Sequence, residues 1–153
     1  SGSGTRTFHT YVGVHGDENE PDPDGLTREA RLSLEETAIL AILAEEPALL
    51  RTPTNNPGFD LIGPGTDEQP DRRIEVKAMT RDLKSRPVGM SQAQFECARE
   101  HGAEFWLYIV EFADSPRLRR IVRIQNPAGK ARTFTFDHGW IELASTSPPL
   151  TPP

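Results

Sequence analysis

The segment FWLYIVEF, residues 105–112, constrains the fold more than any other part of this sequence. It is apolar almost without interruption, with a single glutamate near its end. A strand with one solvated face alternates apolar and polar residues, whereas a strand buried on both faces does not. The segment therefore predicts a central strand in a β-sheet that is covered on both sides.

A first helix is predicted over roughly residues 27–46, where Pro47 ends it. If the regular helix begins at Ser33, that residue and Glu36 have the spacing of a capping box. The acidic, proline-containing stretch before the helix, residues 17–24, is typical of a solvated linker. This helix would cover one face of the sheet.

A second helix is predicted from Ser91, which has capping-box spacing with Gln94, to a stop at Gly102. The preceding RDLKSRPVGM, residues 81–90, is predicted to be a loop. Since the central strand follows this helix directly, we expect the helix to cover the second face of the sheet.

The remaining strands complete the order helix, strand, strand, helix, strand, strand. This order predicts an α/β fold with a mixed central sheet flanked by helices on both faces. Residues 8–14 would supply a further edge strand. The other predicted strands are FDLI at 59–62, RRIEVKAM at 72–79, RRIVRIQ at 119–125 and an edge strand within 133–143.

The length of 153 residues predicts one folded domain with extensions. We expect a linker at 1–4, a strand and acidic loop at 5–26, the domain at 27–144 and a proline-rich tail at 145–153. The single cysteine, Cys97, excludes an internal disulfide framework and a cysteine-rich zinc site, and it fits a cytoplasmic protein. No apolar run approaches the ~18 residues of a membrane span, so we expect no membrane contact.

The net charge of −6 hides a strong asymmetry. Residues 1–71 carry 4 basic and 14 acidic side chains, whereas residues 72–153 carry 13 basic and 9 acidic ones. The basic residues form two clusters, which are either solvated strand ends and loops or phosphate-binding surfaces. The candidate nucleic-acid-binding residues are Arg72, Arg73, Arg81, Lys84 and Arg86 in the first cluster, and Arg119, Arg120 and Lys130 in the second.

Two carboxylates and a lysine form the strongest candidate for a chemical site. Asp60 ends one predicted strand, and Glu75 and Lys77 share one face of the next, so that a hairpin would bring them together. Burying these charges costs several kcal/mol unless they are paired or bind a metal. A hard cation such as Mg²⁺ relieves the repulsion between the carboxylates, and an adjacent lysine can orient or deprotonate water in phosphodiester hydrolysis. The competing interpretation is a structural ion pair.

The pieces Gly58-Phe59-Asp60 and Ile74-Glu75-Val76-Lys77 resemble the motif of the PD-(D/E)XK nuclease superfamily, although Phe59 stands where its strict form has proline. A closer resemblance, over roughly residues 34–143, is to the NO VEIN C-terminal domain family, a PD-(D/E)XK-like family of uncharacterised activity found in bacterial multidomain and phage-defence proteins. The motifs that carry it are NPGFDLI, RRIEVKAM, SQAQFECA, FWLYIVEF and IQNP.

The resemblance implies a Mg²⁺- or Mn²⁺-dependent endonuclease. Asp60 and Glu75 would bind the metal with the Val76 carbonyl as a further ligand, and Lys77 would activate water. The superfamily adds a glutamate from the first helix and a polar residue from the second. Glu35 is the candidate glutamate, with Glu36 and Glu46 as alternatives and a solvated helix end as an equally good explanation. Gln94 is the candidate on the second helix, where a simple helix cap explains it equally well.

The implied substrate is DNA, with RNA left open. We expect a longer parent protein, or a homo-oligomer, to supply targeting, and a role in antiviral defence. Two other functions compete with hydrolysis: a catalytically inactive nucleic-acid-binding module, and a protein-interaction domain that uses the acidic loop or the tail.

Overall fold

The computed structural model of the protein describes residues 10–13, 22–53, 56, 58–131 and 134–136. The predictions for the linker at 1–4, most of the acidic loop, the end of the last strand and the tail at 145–153 lie outside these residues. The predicted domain limits therefore remain predictions.

Within the described residues the chain forms eight strands, three α-helices and one short 3₁₀ helix, Gly102–Glu104. The helices are α1 (Arg28–Glu45), α2 (Gln92–His101) and α3 (Pro127–Lys130). The strands are β1 (Thr10–Gly13), β2 (Leu50–Arg51), β3 (Leu61–Gly63), β4 (Arg72–Ala78), β5 (Val88–Ser91), β6 (Phe105–Glu111), β7 (Arg120–Gln125) and β8 (Phe134–Phe136). In this part of the molecule no helix combines the length and apolar character needed to cross a membrane.

The main sheet has five strands in the order β2-β3-β4-β6-β7. Strands β4 and β6 are parallel, and the other neighbours are antiparallel. This confirms the predicted mixed α/β sheet and the β3–β4 hairpin.

The sheet is covered on both faces, as the apolar segment predicted. On one face α1 packs through Leu34, Ala38 and Ile42 against strand residues that include Tyr108 and Val110. On the other face Ala98 of α2 belongs to a second core cluster, together with the β6 residues Phe105, Leu107 and Ile109. Strand β6 thus contributes side chains to both clusters, which explains why its sequence does not alternate.

A second sheet of three parallel strands, in the order β5-β1-β8, was not predicted. Residues 88–91, predicted as loop, form β5, and β1 is the middle strand of this sheet, not an edge strand. Val88 and Met90 are buried while Gly89 between them is exposed, so the strand pattern spans only four residues. Since its partner β1 lies far away in the sequence, no local pattern reveals the pairing.

The helix ends follow capping chemistry. Helix α1 begins after Thr27, whose hydroxyl accepts a hydrogen bond from the Ala30 amide at 3.2 Å, so the predicted Ser33–Glu36 capping box is wrong. Thr27 satisfies the first turn, and Ser33 therefore lies inside the helix. Helix α2 has the predicted capping box of Ser91 and Gln94.

Candidate active site

The β3–β4 hairpin places Asp60 beside the middle of β4. Leu61 is in register with Ile74, and the Asp60 amide donates to the Ile74 carbonyl at 2.9 Å. The Asp60 carboxylate in turn accepts a hydrogen bond from the Val76 amide, at 2.9 Å from Oδ2. Asp60 is thus fixed at the point where β3 begins to pair with β4.

Glu75 and Lys77 lie on the face of β4 that α2 covers. Glu75 is only 3% exposed, and its Oε1 is 3.2 Å from Lys77 Nζ. Ile74 and Val76, on the opposite face, belong to the core beneath α1. The strand therefore carries a buried ion pair at this position, and a solvated pair on an exposed strand is excluded.

Gln94 joins helix α2 to this pair. Its Nε2 donates to Glu75 Oε1 at 2.6 Å, and its Oε1 accepts from Lys77 Nζ at 2.9 Å. The same Oε1 also accepts from the Ser91 amide at 2.9 Å and completes the capping box. The capping-box prediction for Gln94 is therefore confirmed, and the same side chain contacts both Glu75 and Lys77.

The electrostatics of Glu75 set it apart from an ordinary paired carboxylate. Burial raises its pKa to about 8, Lys77 opposes this shift, and the neighbouring Asp60 carboxyl adds to it. Lys77 and Gln94 together do not compensate the free-energy cost of removing the Glu75 carboxylate from water. A positive ion between Asp60 and Glu75 would supply the missing stabilisation of the charged form.

Two of the three candidate glutamates on the first helix are engaged elsewhere. Glu36 forms an ion pair with Arg51 on the neighbouring strand. Glu46 accepts hydrogen bonds from Arg72 and Arg123 at 3.0 Å each. Both are structural ion pairs outside the candidate site.

Glu35 is the helix glutamate whose pKa is affected by residues of the candidate site. Burial raises its pKa, nearby Lys77 lowers it, and Asp60 raises it again. The residue is nevertheless exposed overall, so solvent screening limits the shift. Glu35 thus lies at the solvent side of the Asp60–Glu75–Lys77 group.

Asp60 and Glu75 can hold a divalent cation only with help from other oxygens. In the described parts of the chain no group of three Asp, Glu, His or Cys residues is close enough to bind a metal. The Val76 amide points to Asp60, and since the amide and carbonyl of one strand residue point to the same side, the Val76 carbonyl faces this edge too. Two carboxylates and a carbonyl fit Mg²⁺, which keeps several waters.

Half of the predicted nucleic-acid-binding residues are not free cations. Carboxylates elsewhere in the fold form ion pairs with them, and their binding of nucleic acid stays a prediction. The pairs are Arg72–Glu46, Arg73–Glu104, Arg86–Asp24 and Arg120–Glu111, with distances between 2.6 and 3.2 Å. Within the described residues the other four, Arg81, Lys84, Arg119 and Lys130, form no ion pair.

Asp24 belongs to the acidic stretch that was predicted to be a solvated linker, and this prediction is wrong for it. Its side chain is 4% exposed and binds Arg86 Nε at 2.6 Å, and the Thr80 amide donates to it at 3.0 Å. It ties the start of α1 to the loop after β4. No sequence signal distinguishes Asp24 from its acidic neighbours, because its partners lie more than fifty residues away.

Gly58 places the segment before Asp60 in close contact with α2. A Cβ atom on Gly58 would lie 3.0 Å from Cys97 Sγ and 3.2 Å from Cys97 Cβ. Cys97 is half-buried and packs against the second core cluster. Helix α2 therefore contacts both sides of the site, through Gln94 and through Cys97.

The sequence profile of the family described as "Protein NO VEIN, C-terminal" matches residues 34–121. The matched range includes Glu35, Asp60, Glu75, Lys77 and Gln94. No curated protein and no solved structure matches the chain. Because the profile spans more than half of the sequence, the chain belongs to the NO VEIN C-terminal family.

Proposed function

We propose that the domain is a Mg²⁺- or Mn²⁺-dependent endonuclease with a PD-(D/E)XK core that hydrolyses phosphodiester bonds in DNA. The observation that carries the proposal is the buried Glu75, whose pKa stays raised although Lys77 and Gln94 contact it. Burial of an undercompensated carboxylate is costly, and such groups are typical of functional sites.

In this mechanism Asp60, Glu75 and the Val76 carbonyl would hold the cation. The bound ion supplies Lewis acidity toward a phosphoryl oxygen and lowers the pKa of water. Lys77 Nζ, which Gln94 and Glu75 hold in place, orients the attacking water or neutralises charge on the phosphate. Glu35 adds negative charge beside Lys77 at the solvent side.

The activity would act within a larger assembly. We propose that other domains of a longer parent protein, or further copies of the chain, deliver the domain to its DNA, in the setting of antiviral defence. Phosphate contacts carry little sequence information, so target choice would come from those parts.

The test is cleavage of plasmid and single-stranded DNA with Mg²⁺, Mn²⁺ or EDTA. We expect metal-dependent cutting that falls by at least about 100-fold in Lys77→Ala, a typical loss for a proton-transfer or electrostatic group. Arg99→Ala, on α2, is the matched control, because it removes the same charge from an exposed position without an ion pair among the described residues. Equal cutting by wild type and Lys77→Ala would contradict the assignment.

A second candidate is a nucleic-acid-binding module with this fold but without hydrolysis. The absence of a third carboxylate, histidine or cysteine at the metal position, within the described residues, favours it. Such a module would bind DNA with a steep salt dependence and leave it intact with every metal tested.

A further inference from the structure

The cations of the described chain fall into two groups that differ in availability. One group is neutralised by carboxylates, as shown above for Arg72, Arg73, Arg86 and Arg120. Arg123 belongs to it too, with Glu45 at 2.7 Å. The other group, with no ion pair among the described residues, includes Arg81, Lys84, Arg117 and Arg119.

These four residues lie on two loops that are joined to each other. The β4–β5 loop, residues 79–87, carries Arg81 and Lys84, and the β6–β7 loop, residues 112–119, carries the two others. The Phe112 amide donates to the Arg81 carbonyl at 3.1 Å, and the Ala113 amide donates to the Met79 carbonyl at 2.8 Å. We call residues 79–87 and 112–119 the loop platform.

The loop platform lies at the carboxyl end of β4, the strand that carries Glu75 and Lys77. Arg72 and Arg73 begin the same strand, and Lys77 lies five positions after Arg72, about 16 Å away at 3.3 Å per residue. Since β7 is antiparallel to β6, Arg120 and the β6–β7 loop lie at the platform end. These four cations are therefore at the end of the sheet where the candidate site lies.

Buried contacts fix the loop platform. Glu111 is 1% exposed and accepts a hydrogen bond from the Leu83 amide at 3.1 Å. The buried Asp24 holds Arg86 and the Thr80 amide on the other side of the same loop. Cations presented by a fixed loop lose less conformational entropy when they bind a ligand.

The platform also carries two acids. Asp82 accepts hydrogen bonds from the amide and hydroxyl of Ser85, and Asp114 is exposed. Four positive charges against two negative ones leave an excess that suits an extended polyanion. A nucleic acid fits better than an acidic peptide, because the platform continues directly from the strand with the proposed phosphodiesterase residues.

We propose that the loop platform is the surface that binds the phosphate backbone of DNA, and that the ion-paired arginines at the opposite end of β4 take no part in it. This inference rests on the proposed function, since it assigns the substrate path of the same site. It predicts backbone contacts with little sequence preference.

The test uses fluorescence anisotropy of the full chain with a labelled DNA duplex in EDTA, so that no cutting occurs. The variant Arg81→Gln/Lys84→Gln is compared with Arg28→Gln/Arg99→Gln, which removes the same charge from exposed positions on α1 and α2. We expect the platform variant to bind about tenfold or more weakly, with a salt slope smaller by about 2, and the control to keep the wild-type slope. Arg117→Gln should reduce the slope by about 1.

Four results would overturn the proposal: no binding by the wild type at low salt, an unchanged salt slope in the platform variant, equal losses in platform and control variants, or competition by polyglutamate as strong as that by DNA. Unfolding midpoints equal to that of the wild type show that each variant is folded.

Cleavage of DNA is measured in a separate assay. If the wild type cuts DNA and the platform variant keeps the wild-type salt slope, only the platform proposal is refuted. If the platform variant loses affinity but the wild type does not cut DNA, only the nuclease proposal is refuted.

Discussion

Glu75 and Glu46 are two carboxylates held by cations on opposite faces of one sheet, and they differ in how well their charge is compensated. Glu46 is desolvated, yet Arg72, Arg123 and Tyr108 donate to it and leave its pKa below the ordinary value. Glu75 has Lys77 and Gln94, and its pKa remains raised to about 8. The donors around Glu46 compensate its charge fully, whereas Lys77 and Gln94 do not fully compensate the burial of Glu75.

Because of this difference, removing the charge of Glu46 and removing the charge of Glu75 should change the stability of the protein in opposite directions. This is the largest effect that we expect. Glu46→Gln should lower the free energy of unfolding by about 2–3 kcal/mol, because it removes the negative charge between two arginines and leaves one acceptor oxygen where the carboxylate had two. Glu75→Gln should leave the stability of the metal-free protein at pH 8 unchanged or raise it, since it removes an undercompensated buried charge. Urea denaturation of both variants checks the signs, and a clear destabilisation by Glu75→Gln would remove the distinction.

The pH dependence of stability is a second test of the incomplete compensation of Glu75. The pKa of Glu75 in the folded protein lies above its ordinary value of 4.5, so its favourable contribution is full below pH 4.5 and disappears as the pH rises through about 8. Each unit of pKa difference corresponds to about 1.4 kcal/mol. We expect metal-free wild type to lose about 2–4 kcal/mol relative to Glu75→Gln between pH 5 and pH 9. Parallel stability curves for the two proteins would be inconsistent with the raised pKa.

The contact between Gly58 and Cys97 gives a smaller effect and a test of how the site is held together. Gly58→Ala places a methyl group 3.0 Å from Cys97 Sγ and should cost about 1–2 kcal/mol by overpacking. Because Asp60 follows two residues later, metal affinity should fall as well. Cys97→Ala removes the closer contact, with Sγ, but keeps Cβ at 3.2 Å, so the double variant should recover part of the affinity and of the stability. Additive losses in the double-mutant cycle would show that the contact does not position Asp60.

Much of the fold follows from patterns that are local in the sequence. The uninterrupted apolar run of β6, the alternation around Glu75 and the capping box of Ser91 each reside in a few consecutive residues. The order of elements then placed Asp60 beside Glu75. The parallel pairing of β5 with β1 depends on residues more than seventy positions apart, and no short pattern contains that information.

The candidate site was predictable to the same extent. Asp60, Glu75 and Lys77 come from one hairpin, and Gln94 comes from a recognisable helix start. The sequence did not separate Glu35 from Glu36 and Glu46, because only the fold shows that the latter two are bound by arginines. Nor did it reveal that Arg86 is neutralised by Asp24, since opposite charges 62 residues apart carry no pairing signal.

The most direct test of the account is calorimetric titration of Mn²⁺ into the wild type and into Glu75→Gln at pH 7, in two buffers with different ionisation enthalpies. A carboxyl with a pKa of about 8 is mostly protonated at this pH, and it must lose its proton to ligate a metal. We expect the wild type to bind one Mn²⁺ ion with release of close to one proton. In Glu75→Gln we expect both the binding and the proton release to be lost. Wild-type protein that binds no Mn²⁺, or that binds it equally well in Glu75→Gln without proton release, would contradict a metal site built on Asp60 and Glu75.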